Sequence, residues 1–190
     1  MRSGFFLALA VVAAIASACS PSAPEFRLTS TVKDIMDSVV DPNADAIWDS
    51  VEVVVTLEGT VEKEPKTDED WKALRRHAIS LAEASNLLLI PGRHIAKPGE
   101  KAEDARVDLQ PEEIEARVKQ DAAAWAAGAH GLHDAVMESL KAIEARDVKA
   151  LLNAGDLLDQ SCETCHRKYW YRVPPPTGAP DASERPKSGY

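Results

Sequence analysis

Cysteine is scarce here, and its scarcity is informative: a chain of 190 residues holds only three, Cys19, Cys162 and Cys165. A disulfide scaffold needs several pairs, and a four-ligand structural zinc site needs a second Cys or His pair at close spacing, which is missing. Aromatic residues make up 5% of the chain and glycines number nine, so neither a stacking surface nor a glycine-rich phosphate loop stands out. Basic clusters are lacking too. The formal charge is −9, which excludes the usual electrostatic footprint of a nucleic-acid binder. One long apolar run exists, at the very start. Phe5 to Ile15 follows Arg2 and leads into Ala16, Ser17 and Ala18, the pattern of a secretory signal over residues 1–18 rather than of a membrane span. Without Arg2 the charge of the exported chain is −10.

Two of the three cysteines stand together in Cys162-Glu163-Thr164-Cys165-His166. A Cys-x-x-Cys-His run is the attachment pattern of a c-type haem, with both thiols adding to the vinyl groups and the histidine binding iron. On a helix these three residues share a face. The competing reading as a redox disulfide expects a preceding strand, and none is indicated. The third cysteine, Cys19, follows the small-residue segment directly. Its place resembles a bacterial lipoprotein signal, which implies acylation of Cys19 and a membrane anchor; Ala16 departs from that pattern, and an ordinary leader with an idle thiol is the alternative.

Residues 19–28 read as a tether containing Pro21 and Pro24. Val32, Ile35, Met36, Val39 and Val40 then form the stripe of an amphipathic first helix, with Asp41-Pro42 marking a kink or a restart that carries Ile47 and Trp48. The valine-rich alternation from Val51 to Leu57, a turn at Glu58-Gly59 and Thr60-Val61-Glu62 predict a short hairpin. Thr67 with Asp70 caps a second helix whose inner face runs Trp71, Leu74, Ala78, Leu81, Ala82, Ser85, Leu88 and Leu89 up to Pro91-Gly92. A charged loop occupies 91–110, long enough to hold a helical turn. The spacing predicts one long third helix from Pro111 through Ile143, with a small-residue middle at Ala122–Gly131 that suits either a flat ligand or close packing. Asp147 caps a last helix on which Val148, Leu151, Leu152, Gly155, Leu158, Cys162, Cys165, His166 and Tyr169 share one stripe. The residues from Pro174 to Tyr190 have the composition of a disordered tail.

Four amphipathic helices with Cys-x-x-Cys-His near the end of the last, continued as Arg167-Lys168-Tyr169, resemble class II c-type cytochromes, the cytochrome c-556 and cytochrome c′ family. The resemblance covers residues 29–172, and the bundle it implies is bounded at 29–173. It implies an all-α antiparallel four-helix bundle with one covalent haem c on the C-terminal helix, to which the hairpin is an addition. Carried over, Cys162 and Cys165 make the thioethers and His166 the proximal bond to iron. In low-spin members a methionine of the first helix is the distal ligand, and Met36 holds the corresponding place; Met137, His77, His94, His130 and His133 are the other candidates, and an open site is the remaining one. Propionate partners are not selected by the sequence, with Arg75, Arg76 and Arg93 all eligible. The implied protein is a periplasmic electron carrier with redox-protein partners, no catalytic residues of its own, an anchor through Cys19 and a homodimer as an expected form. A five-coordinate cytochrome binding nitric oxide or carbon monoxide, or a haem subunit of a larger redox complex, is the alternative.

Overall fold

Pro42 sets the shape of the first helix. Its ring would press on the carbonyl four residues back, and it has no N–H to donate there. The computed structural model of the protein, which describes residues 26–57 and 59–172, answers this by widening the turn rather than stopping the helix. The signal segment, Cys19, most of the tether and the tail lie outside the described residues. Helix α1 (Val32–Ile35) continues into a π-helical turn (Met36–Val40) and then into α2 (Asp41–Trp48). In the wide turn the Asp41 N–H reaches back five residues to the Met36 carbonyl. Asn43 assists, its Nδ2 donating to the Val39 carbonyl at 2.6 Å. The helix starts at Thr31, whose hydroxyl accepts from the Asp34 N–H while the Asp34 carboxylate accepts from the Thr31 N–H.

The hairpin is present as β1 (Glu52–Thr56) and β2 (Gly59–Lys63), antiparallel, with Val54 opposite Val61 and Thr56 opposite Gly59. Gly59 turns at φ +136°, which favours glycine. Val53 and Leu57 remain exposed, as befits an appendage to a helical core. Helix α3 (Asp68–Leu87) begins at the reciprocal Thr67–Asp70 cap and buries Trp71, Leu74, Ala78, Leu81, Ala82 and Ser85.

The segment 91–110 holds no helix. It is tied down at both ends instead: the Val32 and Lys33 N–H groups donate to the His94 and Ile95 carbonyls, each at 2.9 Å, and the Leu109 N–H donates to the Trp170 carbonyl at 2.8 Å. Ile95 and Leu109 are buried as a result.

The long third helix is two. Helix α4 (Pro111–Gln120) stops at Asp121, which leaves the helical region at φ −137°, ψ 65°, and α5 (Ala122–Ala145) starts with the Asp121 carboxylate accepting from the Ala124 N–H at 3.0 Å. One residue between two helices preserves the apolar phase well enough to hide the break from a periodicity argument. Arg146, in the left-handed region at φ 55°, and the Asp147 cap make the tight turn into α6 (Val148–Tyr169).

The described chain is therefore predominantly helical. Helix α5 lies along both α3 and α6, and α2 rests on α3 and α6. The contact of α2 with α6 is close because Gly155 has no side chain: a Cβ there would sit 3.3 Å from Trp48 Cδ1. The Trp48 indole N–H donates to the Gly155 carbonyl at 3.0 Å. Leu158, one turn further along α6, is wholly buried, whereas Leu157 is 48% exposed. Leu158→Ala is expected to cost 2–5 kcal/mol in urea unfolding, about the range for a fully buried leucine, with m unchanged. Leu157→Ala should stay within about 0.5 kcal/mol of the parent.

Candidate functional site

The last two turns of α6 carry Cys162, Cys165 and His166, all partly buried and the two cysteines packed against the main core. Both thiols are free. Burial pushes the Cys162 thiol up to about 12, reinforced by the nearby carboxylates of Asp159 and Asp41. Burial likewise pushes Cys165 up to about 11, with Lys168 opposing it weakly. A nucleophilic or metal-binding cysteine is a thiolate with a lowered pKa. This pair is the reverse, so a thioredoxin-like exchange role fits it poorly. Among the described residues, no group of three or more His, Cys, Asp or Glu side chains is arranged to hold a metal ion.

Opposite Cys165 stands Gly128 of α5, where a Cβ would lie 3.4 Å from the sulfur. The small-residue stretch of α5 thus serves the approach of α6 at the cysteines. The end of α6 is then clamped. Tyr169 is buried with its ring edge-on to Trp125 at 5.2 Å, and its hydroxyl donates to the Asp121 carbonyl at 3.3 Å. Trp125 in turn donates to the Leu88 carbonyl at 3.0 Å. Lys168 pairs with the Asp121 carboxylate at 3.1 Å, and Arg117 donates to the Lys168 carbonyl at 3.0 Å. The helix break at Asp121 therefore holds the end of α6 from two sides. The His166 ring lies 6.3 Å from the Trp170 ring and 6.1 Å from that of Tyr171, whose hydroxyl donates to Glu163 at 3.3 Å.

The first helix runs antiparallel to α6 in a fixed register. Trp48 bonds to Gly155, Asp41 lies close enough to Cys162 to act on its thiol, and Lys33 lines one small cavity together with Trp170. Met36 lies between Lys33 and Asp41 on this helix and is half-buried against the core.

The other sulfur and imidazole candidates are elsewhere. Met137 is 41% exposed on α5. His130 is exposed, and His133 sits 3.6 Å from Asp134. His94 faces Glu115 at 3.2 Å, and His77 bonds to Asn43 at 2.8 Å. Of the arginines, Arg75 pairs with Glu144 and Arg76 with Glu69, at the end of the molecule remote from the cysteines. Arg93 is at the near end but is committed to the backbone carbonyls of Leu87 and Ser30. Asp121 and Asn43, which organise the surroundings of the motif, carry no sequence signal beyond that of ordinary capping or polar helix residues.

No protein-family model, no curated protein and no solved structure matches the chain.

The thiol environment has a measurable consequence. Both thiols titrate above their ordinary 9.0 in the folded chain, so the stability that this protonation contributes is complete below pH 9 and is lost as pH rises through the 11 to 12 range. Iodoacetamide should alkylate Cys162 and Cys165 of the folded, haem-free chain at pH 8 at least about a hundredfold more slowly than in denaturant, with the rate climbing until beyond pH 11. Equal rates would show that the thiols are not buried.

Proposed function

We propose that this chain is an exported class II c-type cytochrome that carries electrons through one covalent haem c. The observation that supports it most is the gathering of Cys162, Cys165 and His166, all partly buried, at the end of α6, beside a core against which Met36 of the first helix also packs. The donor set suits the group. Two thiols three residues apart on one helical face, followed closely by a partly buried imidazole, are the side-chain types that covalent haem attachment uses. Haem held there supplies a one-electron iron couple. The residues do the rest: His166 offers its imidazole as proximal ligand, Met36 a thioether that favours the ferrous state and raises the potential, and the apolar shell that includes Leu158 and Trp125 limits water.

In this reading the first helix, α3, α5 and α6 are the four members of an antiparallel bundle, with α4 and the hairpin as additions. No general acid or base is required, and none is invoked. The excess of acidic residues favours basic redox proteins as partners, and Cys19, acylated, anchors the protein to the periplasmic side of a membrane. The bundle further provides helical surfaces for a homodimer.

Spectroscopy of the purified holoprotein tests this directly. The reduced form is expected to be low-spin and unresponsive to carbon monoxide, and the oxidised form to show a sulfur-to-iron band. Met36→Ala should remove the band, lower the potential and admit carbon monoxide. An unaltered spectrum would remove Met36 from the iron, and a high-spin wild type that binds carbon monoxide would identify a gas-binding protein instead. Cys162→Ala with Cys165→Ala should leave no haem attached after denaturation and extraction. Fractionation addresses the anchor: Cys19→Ala should move the protein from membranes to the soluble periplasm, whereas a wild type already soluble would refute acylation.

A further inference from the structure

Helix α3 is tied to the π-helical turn by a short polar relay that the proposed electron-carrier role does not by itself call for. His77 Nδ1 lies 2.8 Å from Asn43 Oδ1, and Asn43 Nδ2 donates to the Val39 carbonyl at 2.6 Å. All three residues are at least half-buried. The order of donors follows from the last link. Because the Asn43 amide spends an N–H on Val39, its oxygen faces His77, and His77 must present a protonated Nδ1. That donor is retained whether the imidazole is neutral or cationic.

The carbonyl at the end of the relay belongs to the wide turn itself. Val39 lies within Met36–Val40, three residues before Pro42, whose missing N–H deprives this turn of a ladder bond. With the Val39 carbonyl held by a side chain, the turn keeps its π pitch. Reversion to α pitch would rotate Met36 by about 100° relative to α2, one residue's worth of helical angle. Helix α3 packs on both the wide turn and α2, so the relay transmits a fixed point from the core to the turn that begins with Met36.

We infer that His77, acting through Asn43 and the Val39 carbonyl, is a positioning residue that sets the rotation of Met36 toward the iron. This rests on Met36 being the sixth ligand, and the two are separable by experiment. Five holoproteins are compared: wild type, Met36→Ala, His77→Leu, His77→Asn, and the double variant Met36→Ala with His77→Leu. The readouts are the sulfur-to-iron band of the oxidised form and the rate of carbon monoxide binding to the reduced form.

His77→Leu is expected to weaken the band and raise the carbon monoxide rate roughly tenfold, the population shift that follows from losing a buried hydrogen bond. His77→Asn, which restores a donor at the Nδ1 position, should return both to wild-type values. In the Met36→Ala background His77→Leu should change the rate by less than about twofold, because nothing remains to be positioned. Should His77→Leu fail to accumulate, Asn43→Ala breaks the same relay without altering α3. A band that survives both His77→Leu and Asn43→Ala, while Met36→Ala abolishes it, overturns the positioning role alone. An effect of His77→Leu undiminished in the double variant also overturns it, by assigning His77 to general structure. A band that persists in Met36→Ala overturns the ligand assignment and the positioning role with it.

Discussion

The seating of Trp48 on Gly155 is the contact from which the rest of the arrangement can be measured. A glycine in the middle of a 22-residue helix is unfavourable for that helix taken alone, by about 1 kcal/mol against alanine. Its return is an indole that lies flat enough against the backbone of α6 to bond to a carbonyl there. Two antiparallel helices pinned at one point and constrained by core packing on either side have little freedom to slide, because a shift by one residue turns the apolar stripe out of register. The register of α2 on α6 is therefore fixed at this contact.

Two irregularities complete that geometry, and both are responses to a single residue. Pro42 makes the first helix widen, and Asp121 divides what would have been one long helix. In each case a side chain takes over from the broken backbone ladder: the Asn43 amide at the Val39 carbonyl, the Asp121 carboxylate at the Ala124 N–H. In each case the irregularity also lies beside the Cys-x-x-Cys-His segment rather than at the far end, where α5 and α6 are regular. Departures from ideal helix are commonly found where function is located.

Much of this was legible from residue order. The Thr67–Asp70 cap, the valine hairpin, and the inner stripe of α6 are local patterns, and local patterns survive in a linear string. The break at Asp121 was not legible, because a one-residue interruption leaves the spacing of Ile114, Val118, Ala122 and Trp125 consistent with one helix. The π turn was legible only as trouble at Asp41-Pro42. Whether a proline stops a helix or widens it depends on what packs outside the turn, here α3. The segment 91–110 lacks periodicity since its order comes from backbone bonds to Val32, Lys33 and Trp170, partners far away in the chain. The partners of His77 and the remoteness of Arg75 and Arg76 are likewise tertiary facts. Where the motif itself is concerned, residue order placed Cys162, Cys165 and His166 on one helix, and the structure added the burial of the thiols.

The position of α6 in the chain bears on the order of events during assembly. Every surface against which it packs, from α2 through α5, precedes it, so a chain emerging from its N-terminal side can bring α3 and α5 together before the final helix is available. Until that helix docks, Cys162 and Cys165 are outside the apolar environment that later suppresses their ionisation, and reactive at ordinary pH. Docking of the last helix thus works against ionisation of both thiols. A modifying apparatus acting on the nascent segment would meet ordinary cysteines, and one arriving after completion would meet nearly inert ones.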